Sequence, residues 1–475
     1  MSQSTDPPPR PPADAGRALV PLALAQFVCS FAGSNMNVMI TDISHDLGTT
    51  VHGVQSAITL FLLIMAAFMI PGGKLTERHG RVRLLRIGLG VYGVGAVLSA
   101  VAPGLGVLIL GNSVFAGIGT ALLIPPVYIL ATLLFTGTVA RARAFGVISA
   151  AGGVGAAAGP LIGGLITSGI SWRAAFGFQA LIVVLILALS RRLVDPEPAD
   201  PRSRLDLLGV VLSAAGLILL VSGILAAGRN WWVCLGLMVG GALVLVAFFG
   251  HVRRAERAGR APLLSPALLR NRVSNLGLVT QNIQWMMLLG SSFTVSAYLQ
   301  VVRGYSAIGT GVIFTAATVG LLASSLAAAS FARRRRQRTL IMTGFCVTIV
   351  GIGVLIGLVY LTSKAWAFAP GLLLIGFGLG LMLTPSVNLV QSAFGESEQG
   401  EISGLSRSVS NLGSSLGTAI AGTILAANLV RGGYAAAMIV LGGFGLLGLA
   451  AAARLPAGER PGAAEGASAP AHGPG

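Results

Sequence analysis

Apolar stretches of nearly constant length alternate with short polar segments along the whole chain. They run over residues 18–40, 53–71, 84–102, 106–131, 146–168, 174–190, 207–227, 231–250, 275–300, 306–330, 339–361, 366–388, 406–427 and 433–453. Each is close to the roughly 20 residues that a helix needs to cross the hydrocarbon of a bilayer. The pattern predicts an all-α integral membrane protein with fourteen spans, and an even number returns both termini to one side.

The cations test this reading independently, because Lys and Arg accumulate in the cytoplasmic segments of a membrane protein. Of the 32 Lys and Arg residues, only Arg173, Arg229, Arg303, Lys364 and Arg431 fall in the alternate set of loops. The rest, with Arg407 counted at the very start of the thirteenth span, lie on the face that carries the termini. The expected setting is a bacterial inner membrane, with both termini cytoplasmic. The longer segments flanking the seventh and eighth spans divide the chain further: an N-terminal tail over 1–17, a six-helix bundle over 18–190, and linkers with two inserted helices over 191–272. A second six-helix bundle follows over 273–455, and an Ala-, Gly- and Pro-rich tail over 456–475 is expected to be disordered.

Composition agrees, with 54% hydrophobic and 10% charged residues, where soluble domains carry about 25% charged residues. A net charge of +17 raises the question of nucleic acid, but no soluble stretch is long enough to form a basic binding domain, so no nucleic-acid partner is expected. Cys29, Cys234 and Cys346 stand singly in apolar runs, a spacing that points to neither disulfide nor metal site. There is no phosphate-binding loop of the ATP-driven kind, and no cofactor is indicated.

Two stretches carry motif-like spacing. Gly73, Glu77, Arg78, Gly80 and Arg81 form a charged turn between the second and third spans, with Gly73 placed to let two helices approach and Gly80 to supply a positive φ. On the fifth span Gly146, Gly155, Gly159, Pro160, Gly163 and Gly164 precede Trp172 and Arg173. Small residues at this spacing permit close helix packing in lipid. The first stretch resembles the loop signature of the major facilitator superfamily, with Glu where that family has Asp, and the second resembles its antiporter motif. With fourteen spans the chain is similar to the drug:proton antiporter subfamily. The resemblance implies two six-helix bundles plus two central helices, alternating access, and export of lipophilic small molecules in exchange for protons by a monomer that is not an enzyme. It also implies that Glu77 pairs with Arg81 and latches onto the helix beginning near Ser403. A facilitator or symporter for one metabolite is the alternative within this fold. A membrane-embedded enzyme acting on lipid is a remoter one, since no catalytic cluster falls inside a span.

Candidate cavity residues are Asn35, Asn37, Gln55, Gln281, Asn282, Gln284 and Trp285, because an amide in hydrocarbon must find protein or water. The sequence departs from the family at Ser113 and Ala32, where the resemblance leads one to expect Arg and an acidic residue. No Asp, Glu, Lys or Arg is expected deep within a span. The candidate proton site is therefore Asp42, His45 and Asp46, which share a face at the outer end of the first span.

Overall fold

The computed structural model describes residues 13–456 apart from 136–137, 197, 200–205, 228–229, 261, 333–335, 363, 395–397 and 428–429. Residues 1–12 and 457–475 of the two tails, and Arg202, Arg204, Arg229 and Arg333 to Arg335, lie outside the described residues, whereas residues 13–17, expected in the N-terminal tail, already belong to the first helix. Long helices follow the apolar pattern: α1 Ala13–Asn35, α2 Val51–His79, α3 Arg81–Ala100, α4 Leu105–Leu134, α5 Thr138–Gly169, α6 Trp172–Ser190, α7 Leu207–Ala226 and α8 Trp231–Arg257. They continue as α9 Arg272–Ala297, α10 Ala307–Ala332, α11 Gln337–Leu361, α12 Ala369–Gln391, α13 Gln399–Ala427 and α14 Arg431–Ala453.

Among the described residues twelve helices are long and apolar enough to cross a membrane, or thirteen if α5, bent by 43°, is one span. The helix left over is α13. Its stretch from Ser403 to Gly417 is built from Gly and Ser, which lowers its hydropathy while suiting it to close contact.

The pairing of helices repeats with an offset of eight. In the first half α1 packs on α5, α2 on α4, α3 on α4, α3 on α6 and α1 on α6. In the second half α9 packs on α13, α10 on α12, α11 on α12, α11 on α14 and α9 on α14. Between the halves, α7 and α8 pair with each other. The α7 side chains Leu217, Ile218 and Val221 pack over Leu63 of α2 and Ala419 of α13. Asp206 caps α7 at the Gly209 N–H (2.9 Å), pairs with His251 of α8 (2.8 Å), and accepts from the Leu263 N–H (3.3 Å). The segment after α8 is tied onward, the Ser265 N–H donating to Glu401 of α13.

The charged turn is tighter than the sequence suggests. Helix α2 runs through His79, and Gly80, at φ +91°, alone separates it from α3. A side chain there would be strained whatever the space around it. The residue that permits close helix approach is Gly72 rather than Gly73. A Cβ at Gly72 would lie 2.2 Å from the Ala121 carbonyl of α4, whereas Gly73 faces open space. One residue turns a helix by about 100°, so neighbouring glycines cannot serve the same contact.

Candidate functional site

The two halves enclose a cavity of about 140 Å³. Its walls come from both: Gln26, Ser30, Ser34 and Asn37 on α1 and its continuation, Leu62 and Met65 on α2, and Pro160 on α5 from one side. Trp285 and Ser292 on α9, Phe314 on α10, Ile375 on α12, and Arg407, Ser410, Asn411 and Ser414 on α13 face them from the other. Drug-sized ligands occupy pockets of about 300–1,000 Å³, so filling this one with such a molecule requires the halves to part.

At the arginine-poor end the halves are joined. The backbone breaks at Met36–Val38, a 3₁₀ turn, and the buried Asn37 carbonyl accepts from Ser296 Oγ and from Gln300 Nε2 (2.8 Å), while Gln300 Oε1 accepts from the Thr41 N–H (3.2 Å). Gln300 lies in a π-helical stretch, Tyr298–Val302, that ends α9. Such distortions re-aim side chains and cluster at functional positions. Beside this contact α5 meets α10, and the Ile308 N–H donates to Ser168 Oγ (3.1 Å).

The glycines of α5 divide their work between two neighbours. A Cβ at Gly155 would meet the Phe27 carbonyl at 2.4 Å, one at Gly159 would meet Ser34 Oγ, and one at Gly163 would meet Asn35, all on α1. On another face, a Cβ at Gly164 would lie 2.6 Å from the Ala307 carbonyl of α10, and the Pro160 carbonyl sits 2.4 Å from where Gly311 would carry one. One stripe therefore builds the first half, and Pro160 with Gly164 seals that half against the second. Gly146 is exposed and touches nothing.

The opposite pair of contacting helices, α2 and α13, is bonded by side chains. Gln55 Nε2 donates to the Thr418 and Ala419 carbonyls (3.2 and 3.1 Å), Ser415 Oγ to the Thr59 carbonyl (3.1 Å) and Ser408 Oγ to the Ala66 carbonyl (2.6 Å). Ser113, in a π-helical stretch of α4, gives its hydroxyl to the Ala57 carbonyl at 2.7 Å.

Of the seven amide and indole residues read from the sequence as cavity candidates, Asn37 and Trp285 line the space. Four of the other five, Gln55, Gln281, Asn282 and Gln284, bond to neighbouring helices. Gln281 donates to the Ser386 carbonyl (2.9 Å) and accepts from Ser406 Oγ (2.7 Å), Asn282 donates to the Val409 carbonyl (2.9 Å), and Gln284 donates to the Leu379 carbonyl (3.3 Å) and accepts from Ser386 Oγ (3.0 Å). Gln55 bonds to α13 as above. Asn35 is fully buried against Gly163, with both side-chain polar atoms unbonded among the described residues.

A charged residue was misplaced. Arg407, expected in a polar segment at the start of a span, lies eight residues inside α13, about 12 Å from its first residue at 1.5 Å per residue, and lines the cavity. Its guanidinium sits 4.8 Å from the centre of the Tyr128 ring of α4 and donates to the Tyr128 hydroxyl. The sequence holds a signal for this in retrospect: the helix-forming run begins at Gln399, a full two turns before the apolar run does.

At the charged turn, Asp195 takes the partners expected for Glu77. Its carboxylate accepts from the Arg81 and Val82 N–H groups (2.5 and 3.2 Å) at the start of α3, where the helix dipole favours an anion, and Arg81 pairs with it at 3.9 Å. Glu77 is half-buried and Arg78 exposed. Ser403 Oγ accepts from Gln391 Nε2 at 3.3 Å. The carboxylate that caps α3 therefore arrives from the segment after α6.

Just beyond the arginine-poor end of α1, Asp42, His45 and Asp46 share the short helix Ile40–Asp46, all exposed. Asp46 accepts from Trp172 Nε1 (3.0 Å) and from Arg173, which also donates to the Ala102 carbonyl (2.9 Å). The Arg173 and Trp172 hydrogen bonds hold the Asp46 carboxyl below its ordinary value, while desolvation pushes Asp42 up. The three residues thus split into a clasp, Asp46, and a pair left facing outward.

The Major Facilitator Superfamily model matches residues 22–418. The chain is 31% identical over 415 residues to the puromycin resistance protein pur8 of Streptomyces alboniger, covering 86% of this chain and 81% of that one. It is 28% identical over 427 residues to a probable actinorhodin transporter of Streptomyces coelicolor, covering 88% and 73%. It is 27% identical over 423 residues to the multidrug efflux pump LfrA of Mycolicibacterium smegmatis, covering 88% and 82%. Among solved structures, a peptide transporter POT in complex with sulfate superposes with a TM-score of 0.69 at 16% identity, covering 92% of this chain and 95% of that one, a likeness of fold.

Proposed function

The chain belongs to the Major Facilitator Superfamily, and from that premise we propose that it exports lipophilic small molecules by alternating access, as a member of the fourteen-helix drug:proton antiporter subfamily. The observation that carries this reading is the cavity itself. It sits where the two halves meet, is mostly apolar, and carries a few convergent polar groups in Asn37, Trp285, Arg407 and Asn411. That is the composition of a site for amphipathic ligands.

In this reading residues 18–190 and 273–455 are the bundles that rock about the midplane, and the pair in 191–272 rides between them. The arginine-rich face is cytoplasmic, so the joined end is the outer one and the chain stands ready to load from within. Gly73, Glu77, Arg78, Gly80 and Arg81 form the cytoplasmic turn that changes partner as the bundles rock, and Gly155, Gly159, Pro160, Gly163 and Gly164 form the outer seal. Gly146 takes no part in that seal. Protons are the exchanged ion, with Asp42 and His45 as the groups that load them from outside. Resistance, efflux or transport in the names of the relatives agrees with export.

The test is transport into inverted membrane vesicles of a panel of lipophilic dyes, with and without an imposed pH gradient. Gradient-dependent uptake is expected only in vesicles carrying the protein. Uptake equal to that of vesicles lacking it removes the export reading.

A further inference from the structure

Among the described residues Arg407 is the sole ionised side chain lining the cavity, and none of the described lining residues is Asp or Glu. It is half-buried on α13 and shares the cavity lining with the apolar Met65, Ile124, Leu288 and Phe314. A guanidinium has five N–H donors and no acceptor. Among the described residues one partner takes a hydrogen bond from it, the Tyr128 hydroxyl, and no carboxylate forms an ion pair with it.

An uncompensated charge at membrane depth is costly, and such residues face water or a pathway and mark what passes. Tyr128 supplies a ring face and one acceptor, which orients the guanidinium without neutralising it; the Tyr128 ring is itself stacked on Phe145 of α5 at 5.7 Å. The other polar side chains of the lining are the amides Gln26, Asn37 and Asn411, the Trp285 indole, and Ser and Thr hydroxyls, all uncharged. The aromatic faces of Trp285 and Phe314 line the same half of the cavity as Arg407.

We infer that the cavity selects lipophilic anions, molecules with an aromatic body and one carboxylate, phenolate or sulfonate that reaches Arg407, and disfavours lipophilic cations of the same shape. The inference rests on the export reading and refines it. A planar, always-charged fork matches an oxyanion in two-point geometry. A cation in the same place meets a like charge with no counter-ion in the wall.

Fluorescein and rhodamine 123 are xanthene dyes of similar shape and opposite charge, and N-phenyl-1-naphthylamine is a neutral lipophile. Inverted vesicles carrying the full chain are expected to take up fluorescein at least about tenfold faster than rhodamine 123 at neutral pH. Arg407→Gln is expected to lower the fluorescein-to-naphthylamine uptake ratio by at least about tenfold, and Arg407→Lys, which keeps the charge but not the fork, to restore part of it. Rhodamine 123 carried as well as fluorescein, or a ratio unmoved by Arg407→Gln, overturns the charge inference while leaving export intact. Uptake of none of the three removes export and the inference with it. Should Arg407→Gln fail to reach the membrane, the wild-type preference and the Arg407→Lys ratio decide alone.

Discussion

The two seams between the bundles differ in what dominates them, although Ser168 also bonds across the first and Gly422 leaves room for Gln55 in the second. Where α5 meets α10, backbone lies on backbone: Gly164 against the Ala307 carbonyl and Gly311 against that of Pro160. Where α2 meets α13, side chains reach across, through Gln55, Ser415 and Ser408, and α7 covers the outside of the contact. The first seam depends on the absence of atoms and so is sensitive to any that are added. The second depends on hydrogen bonds, which in a bilayer contribute only about 0.6 kcal/mol each on average, and so tolerates their loss and re-formation as the helices move. A transporter that must open one end and close the other can use both kinds, one as a catch and one as a bearing.

The sharpest way to break the comparison is to fill the catch. Gly164→Ala and Gly311→Ala each place a methyl against a carbonyl of the other bundle, and overpacking of this kind costs about 1–3 kcal/mol, a shift of about 5- to 150-fold against the state joined at the arginine-poor end. The reactivity of a cysteine at Ala307, buried in that seam, towards an impermeant maleimide should rise accordingly. Unchanged labelling means the seam is not the seal. Gly155→Ala, directed at α1 of the same bundle, should instead lower thermal stability and expression.

Gln55→Leu removes two hydrogen bonds from the bearing and should cost about 1 kcal/mol, read as a fall in transport of no more than about fivefold. A loss as large as that of Gly164→Ala shows that the seams are equivalent after all.

The pH response comes next, and it separates the residues at the arginine-poor end. Asp46, held down by Arg173 and Trp172, keeps its stabilising pair at every pH above the ordinary 3.8 and loses it only as pH falls through the still lower folded value. Asp46→Asn should therefore leave the shape of the transport profile between about pH 5 and 8 unaltered. Asp42, pushed up by desolvation, holds its proton to higher pH than a free carboxyl and becomes unfavourable as pH rises through that value. Asp42→Asn with His45→Gln should flatten the acid limb, and an unaltered limb takes this pair out of the coupling. The smallest effect belongs to Gly146→Ala. With nothing near its Cβ position, the change should stabilise the helix by at most about 1 kcal/mol and leave transport as it is, although Gly146 stands in the same motif as Gly164.

That contrast within one motif also marks what the sequence could tell. Most of the spans were legible because each rests on a sum over some twenty residues, and such sums survive local error. The azimuth of one residue is a different matter. Gln281 and Gln284 lie on the same helix as Trp285 and carry a polarity suited to ligand contact, yet they bond to α12 and α13. A helical period gives spacing but not which face meets a neighbour. Gly72 and Gly73 differ by the same ambiguity of one helical step. Arg407 escaped for another reason: apolarity marks where a helix enters lipid, whereas α13 starts in polar sequence at Gln399, so the cation fell at the edge of the run instead of within the wall. The Glu77 contacts went to Asp195 because a long-range competitor has no signature in a local motif.

The antiparallel pair α7 and α8 carries a consequence of parity. A chain that leaves one face and comes back before starting its second bundle enters that bundle in the same direction as the first. The offset of eight between matching helix pairs is even, so matching helices run the same way, and the arginine-poor ends of both halves meet at Asn37 and Gln300. A single extra crossing at this point would have inverted the second bundle and carried Arg407 to the opposite leaflet.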